Sequence, residues 1–162
     1  MLQYFLAAFL MVVPSLARCD DVASVRYLEG NGQSQITAKG GATISTPFAI
    51  ASLGKTITSV AVLRLVDAGY IDLDEPARDY LPTDIIRGLG GLAGVSVRHL
   101  LTMTSGLPDY LSDDYIAEVI ADHYAIQEPH AALSFAYGEP VRFRPGADFE
   151  YSNTNFVVAG II

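Results

Sequence analysis

Residues 47–60 read Pro47-Phe48-Ala49-Ile50-Ala51-Ser52-Leu53-Gly54-Lys55-Thr56-Ile57-Thr58-Ser59-Val60, and they are apolar on nearly every helical face. A helix of that kind is unsuited to a solvated surface, and its pattern predicts a central, buried helix over residues 52–68, closed by Gly69 as the C-terminal glycine. One charge interrupts the run. Lys55 is one of two lysines, against eight arginines. A cation kept among apolar residues is costly unless it serves a purpose. Residues three apart share a helix face, so the Lys55 amine can reach the Ser52 hydroxyl. A serine hydroxyl is a weak nucleophile until an adjacent base takes its proton, and an amine does so when burial or a neighbouring charge lowers its pKa. Ser52 at a helix start also brings backbone N–H groups toward a reacting carbonyl. A serine N-cap with a solvated lysine one turn later would give the same letters, so the pair needs context.

The context begins with composition. The chain has 162 residues, enough for one ordinary domain, and its 51% hydrophobic and 17% charged content makes it globular. The net charge of −8 and the absence of a basic stripe argue against nucleic acid as a partner. Residues 5–13 form an apolar run broken by Pro14, with small residues Ser15 and Ala17 ahead of residue 18. That pattern predicts a signal peptide over residues 1–17, removed on export, with residues 18–162 as the domain and a secreted or periplasmic location. The run is too short for a stable membrane span. Cys19, the single cysteine, excludes an internal disulfide, and Arg18 before it makes a poor lipidation box.

Along the rest of the chain, residues 25–29 and 33–38 flank Gly30-Asn31-Gly32 and predict a β-hairpin with an Asn-Gly turn. Gly88, Gly90, Gly91 and Gly94 mark a flexible loop. Ser96 caps a short helix over residues 97–103. Residues 113–125 are amphipathic, residues 134–137 are helical, and Arg144-Pro145-Gly146 is a turn. A last helix begins at Asn155 or Phe156 and is still apolar at Ile162, so the sequence reads as cut inside it. Before it stands Tyr151-Ser152-Asn153, where a half-buried loop tyrosine and a turn-forming asparagine are the bland reading. The three histidines lack metal spacing, residues 88–94 do not fit a nucleotide loop, and Asp72-x-Asp74 is not a calcium loop. No metal or cofactor is expected.

These blocks resemble one family. The stretch from Phe48 through Ser52 to Lys55 resembles the Ser-x-x-Lys nucleophile motif of the serine β-lactamase-related family, which includes class C β-lactamases, D-alanyl-D-alanine carboxypeptidases and related esterases. Gly69-Tyr70-Ile71-Asp72-Leu73-Asp74 and Tyr80-Leu81-Pro82 are similar to the segment that follows it. His99-Leu100-Leu101-Thr102-Met103-Thr104-Ser105-Gly106-Leu107 looks like the family's His-Leu-Leu-Thr-x-Thr-Ser-Gly-Leu stretch, with Met103 where histidine is frequent. Tyr151-Ser152-Asn153 resembles its Tyr-x-Asn motif. The match runs over residues 47–162; the hairpin matches poorly, and no Lys-Thr-Gly or His-x-Gly block is present.

The resemblance implies an α+β, β-lactamase/transpeptidase-like fold, truncated: the N-terminal hairpin, the nucleophile helix and the helical region, without the C-terminal strands. It implies catalytic roles for Ser52 as acyl-enzyme nucleophile, Lys55 as base or as holder of a phenolate, and Tyr151 as general base and then acid. It gives Asn153 a substrate-binding role. The implied partner is a small molecule or peptide with a carbonyl to acylate Ser52: a β-lactam, a D-amino-acid peptide or an ester. The 162-residue chain by itself is expected to be an incomplete, inactive fragment. The alternative is a non-catalytic degenerate relative that binds cell-wall peptides or a protein partner.

Overall fold

The computed structural model describes residues 23–30, 33–122 and 128–162. The predicted signal peptide, Cys19, the Asn31-Gly32 turn and the end of the helix expected over residues 113–125 lie outside them. The chain divides into two compact units, residues 1–49 and 50–162. In the first, β1 (Ser24–Gly30) pairs antiparallel with β2 (Gln33–Lys39), with Tyr27 opposite Ile36 and Gly30 opposite Gln33. The expected hairpin is thus found, with two residues between its strands.

The second unit is helical. A 3₁₀ turn, Ala51–Leu53, runs into α1 (Gly54–Asp67). After a second 3₁₀ turn, Ala77–Tyr80, come α2 (Thr83–Gly88), α3 (Val97–Leu101), α4 (Asp113–Ala121), α5 (Pro129–Ser134) and α6 (Asn153–Ile161). Helix α6 is the hub. It packs against α1, α3 and α5, and α2 packs against α5. The core gathers Val62, Ile85, Val97, Leu100, Leu133 and Val158, all nearly or fully removed from solvent.

Three helices end in one way. At the end of α1 the Gly69 N–H donates to Val66 O at 2.9 Å and the Tyr70 N–H to Leu65 O at 2.9 Å, with Gly69 at φ +77°. This pair of bonds satisfies carbonyls that a helix end otherwise leaves orphaned. Helix α2 repeats it: the Gly90 N–H donates to Arg87 O and the Gly91 N–H to Ile86 O. The glycine-rich stretch expected to be a flexible loop is therefore an ordered one: Leu89 and Leu92, between its glycines, and Val95, just after them, enter the core. Helix α3 repeats it again through Met103 and Thr104, and here the left-handed position (φ +59°) is held by Met103. The start of α3 follows the sequence. The Ser96 hydroxyl accepts the His99 N–H, and the His99 ring accepts the Ser96 N–H.

Other expectations change as well: residues 134–137, expected to be helical, form the last residue of α5 and the turn after it. Helix α1 is not surrounded: Val62 is its one buried residue, whereas Ile57 is 66% and Val60 52% exposed. All-round apolarity signals burial only when neighbours come from every side, and the helix packed along α1 is α6. Helix α6 begins at Asn153, earlier than expected. Its polar first turn reads as loop in sequence, but each of those polar groups has a partner.

Those partners form the strap at residues 103–110. Ser105 Oγ donates to Asn155 Oδ1 at 2.5 Å and accepts the Leu107 N–H at 3.0 Å. Asn155 Nδ2 donates to Met103 Sδ, the Tyr110 N–H to Thr154 Oγ1 at 2.9 Å, and Ser152 Oγ to Pro108 O. Ser105, Ser152, Thr154 and Asn155 are all buried, and none of the described buried side-chain polar atoms lacks a partner. On its other side the strap meets residues 142–150: the Arg142 N–H donates to Gly106 O, the Gly146 N–H to Thr104 O and the Glu150 N–H to Met103 O.

Gly106 sits at φ +76°, and a Cβ there would collide with the Phe143 carbonyl oxygen. Gly138 has almost the same φ, +75°, with open space around it. Gly138→Ala should cost about 1 kcal/mol, the penalty for a side chain in the left-handed region. Gly106→Ala should cost about 2–4 kcal/mol, because overpacking is added to that penalty. Urea denaturation followed by circular dichroism measures both; equal costs would show that the strap and the 142–150 segment are not in close contact.

Candidate active site

The 3₁₀ turn and the first turn of α1 carry Ser52 and Lys55 on one face, as their spacing requires. Lys55 Nζ donates to Ser52 Oγ at 3.2 Å. The start of α6 brings up Tyr151 and Asn153 from about a hundred residues away. Ser52 Oγ and Tyr151 OH are 2.9 Å apart, and either hydroxyl can donate. Lys55 Nζ donates to Asn153 Oδ1 at 2.8 Å and lies 5.0 Å from the centre of the Tyr151 ring. The structure thus brings all four sequence-predicted residues into one hydrogen-bonded group.

Backbone geometry contributes to the pose. Ala51, directly before Ser52, has φ +44°. A non-glycine residue in that region carries about 1–2 kcal/mol of strain. The strained peptide turns the chain into α1 with the Ser52 side chain outward: Ser52 is exposed, Tyr151 is 48% exposed, and Lys55 and Asn153 are half-buried. A substrate can reach the hydroxyl while the amine stays among its acceptors.

The electrostatics have a direction. The Lys55 amine, then the Ser52 hydroxyl, hold the Tyr151 phenol below its usual range, since both donate to or attract the phenolate. Burial and the Asp109 charge push the other way and are weaker. The Tyr151 proton affinity is thus moved toward neutrality, as a proton acceptor for Ser52 requires. Among the described residues no cluster of three or more histidine, cysteine, aspartate or glutamate side chains is placed to hold a metal ion.

Sequence reasoning passed over Asp109. Its Oδ1 accepts the Asn153 backbone N–H at 3.1 Å, and its Oδ2 accepts the Asn153 side-chain N–H at 2.9 Å. The signal available was its place directly after Ser105-Gly106-Leu107-Pro108; nothing local to Asp109 tells that its partner lies 44 residues on.

Tyr151 can be titrated directly. The difference in phenolate absorbance between the protein and its Tyr151→Phe variant isolates this one of nine tyrosines. The midpoint should fall below the usual value of about 10 and should move up in Lys55→Ala. A midpoint that does not respond to Lys55→Ala would show that the amine does not act on the phenol.

Known proteins share this arrangement of chain. The family model described as Beta-lactamase matches residues 18–162. Protein flp of Staphylococcus aureus (strain NCTC 8325 / PS 47) is 29% identical over 135 residues, which cover 83% of this chain and 26% of that protein. The D-stereospecific amidohydrolase from Streptomyces sp. superposes with a TM-score of 0.70 at 30% identity, over 86% of this chain and 42% of that one. The penicillin binding protein from Bacillus halodurans gives 0.69 at 30% identity with the same coverage. The chain thus spans about a quarter of that curated relative and about two-fifths of these solved ones. Their common architecture is the α+β, β-lactamase/transpeptidase-like fold anticipated from the motifs. The chain belongs to the beta-lactamase family, a family of serine hydrolases.

Proposed function

We propose that these residues form the acylation machinery of a serine hydrolase that opens an amide, lactam or ester carbonyl. The observation that carries this reading is the 2.9 Å approach of Ser52 Oγ to a tyrosine whose pKa is lowered by Lys55. Tyr151, as phenolate, takes the Ser52 proton while Oγ bonds to the substrate carbonyl carbon. The tetrahedral adduct then expels the leaving nitrogen or oxygen, which receives that proton from Tyr151, and an ester to Ser52 remains. Water attacks the ester as Tyr151 accepts its proton, and Tyr151 passes that proton to Ser52 Oγ as the acyl bond breaks, which releases the acid and restores both Ser52 and the phenolate. Lys55 holds positive charge beside the phenolate, and Asn153 anchors Lys55 and faces the substrate. The amidohydrolase and penicillin-binding relatives support an amide or lactam substrate, a D-configured amide among them.

A fluorophosphonate probe separates activation of Ser52 from turnover. Intact-mass analysis should find one adduct, mapped to Ser52 by peptide sequencing, and none on Ser52→Ala. Lys55→Ala should react about 10²-fold more slowly or worse, the scale of a lost proton-transfer arrangement. The wild-type rate should climb with pH through the Tyr151 midpoint, because the phenolate is the reactive form. Absence of a Ser52 adduct, with retained binding of a D-alanyl peptide, would favour the non-catalytic relative instead.

We further propose that the protein is exported and that residues 1–17 are removed. The apolar run at residues 5–13, the small residues before Arg18 and a family match that starts at residue 18 support this. Among the described residues no helix is long and apolar enough to cross a membrane. Mass spectrometry of the mature protein from culture medium or periplasm should find Arg18 at its N-terminus; a cytosolic product retaining Met1 would overturn the assignment.

A further inference from the structure

We propose that Asp109 is a positioning residue of this site: it fixes which end of the Asn153 amide faces Lys55, and so holds the Lys55 amine against Ser52 and Tyr151. The proposal rests on the acyl-transfer reading above and adds to it a residue outside the Ser-x-x-Lys and Tyr-x-Asn motifs.

The argument is one of hydrogen-bond polarity. An asparagine side chain has an oxygen that only accepts and a nitrogen that only donates. Lys55 Nζ can only donate, so it must meet Asn153 Oδ1, as it does at 2.8 Å. The Asp109 carboxylate can only accept, so it must meet Asn153 Nδ2, as it does at 2.9 Å. With both neighbours in place, one orientation of the amide satisfies both and the flipped one satisfies neither. The second Asp109 oxygen accepts the Asn153 backbone N–H at 3.1 Å and the Leu111 N–H at 3.2 Å, which fixes the carboxylate itself.

The chain around Asp109 is held just as firmly. Pro108 O accepts from the buried Ser152 hydroxyl, and the Tyr110 N–H donates to the buried Thr154 hydroxyl. Three consecutive strap residues, 108–110, are thus bonded to three consecutive residues, 152–154. The carboxylate has little freedom to move away, and Asn153 has little freedom to turn. The Asp109 carboxylate bonds to Asn153 and to the Leu111 N–H, and its action on Lys55 passes through Asn153.

The isosteric change Asp109→Asn tests this. The amide introduced there can keep its oxygen on the two backbone N–H groups, but its NH₂ then faces the NH₂ of Asn153. Asn153 must turn, and a donor is brought toward the Lys55 amine. Labelling of Ser52 by the fluorophosphonate should fall about 10–100-fold, the scale of a small misplacement of catalytic groups. The Tyr151 midpoint should move up, because Lys55 loses its hold. A purely electrostatic role for Asp109 predicts the opposite sign, since removing its charge would lower the midpoint. A purely structural role would lower the melting temperature and leave the midpoint where it is.

The reciprocal double variant, Asp109→Asn with Asn153→Asp, restores donor against acceptor at both contacts. Compared with Asn153→Asp alone, in which two carboxylates face each other, it should label Ser52 about 10-fold faster or more. If Asp109→Asn unfolds, the comparison of the double variant with Asn153→Asp decides: faster labelling in the double variant supports the proposal, and equal or slower labelling overturns it. Wild-type labelling rate and midpoint in Asp109→Asn would also overturn it. If the wild-type protein takes no label at Ser52, the acyl-transfer reading fails, and the direction of the Tyr151 midpoint still decides the role of Asp109.

Discussion

The buried bond between Ser105 and Asn155 is the contact on which the rest of this site depends. It ties the strap after α3 to the first turn of α6, and its two side chains are sealed from water. A buried polar pair of this kind stabilises little when made and costs about 1–3 kcal/mol when one partner is left alone. Its use is therefore specificity of position more than strength. Once Asn155 is fixed, the register of α6 is fixed, and Tyr151, Ser152, Asn153 and Thr154 can meet their partners in only one alignment.

That alignment couples an apolar core to a polar surface group. Helix α6 inserts Val158 and Ala159 among the core side chains from its far end and presents Asn153 to Lys55 from its near end. Helix α1 does the same: Val62 is buried beyond Lys55, while Ser52, in the 3₁₀ turn that leads into it, stays open to solvent. The two helices that carry the group are thus packed on one another, and motion of one against the other would have to break packed contacts before it could separate Ser52 from Tyr151.

What the sequence made legible was local chemistry. Gly69 as a helix stop and Ser96 as a helix start need only their own neighbours, and both stand where expected. The Ser52–Lys55 spacing implied a shared face, and the order of motifs, through family resemblance, brought Tyr151 and Asn153 to the same place. The failures share a cause as well. Asp109 acts through a partner 44 residues away, and no pattern around it announces that bond. The glycines at residues 88–94 looked mobile because composition does not reveal that Leu89 and Leu92 between them and Val95 after them are anchored in the core. Apolarity all round α1 predicted burial, but burial belongs to the neighbours and not to the helix.

Ala51 has a consequence for how sequences at this site can vary. A residue held at φ +44° beside the nucleophile works as a mechanical stop: it limits the directions in which the hydroxyl can point. Glycine at that position would relax the local strain, yet it would widen the range of poses the turn samples and add entropy to the unfolded chain. A β-branched residue would stiffen the turn but raise the strain further. Alanine is the compromise between aim and foldability, so drift at position 51 should be narrower than its small, featureless side chain suggests.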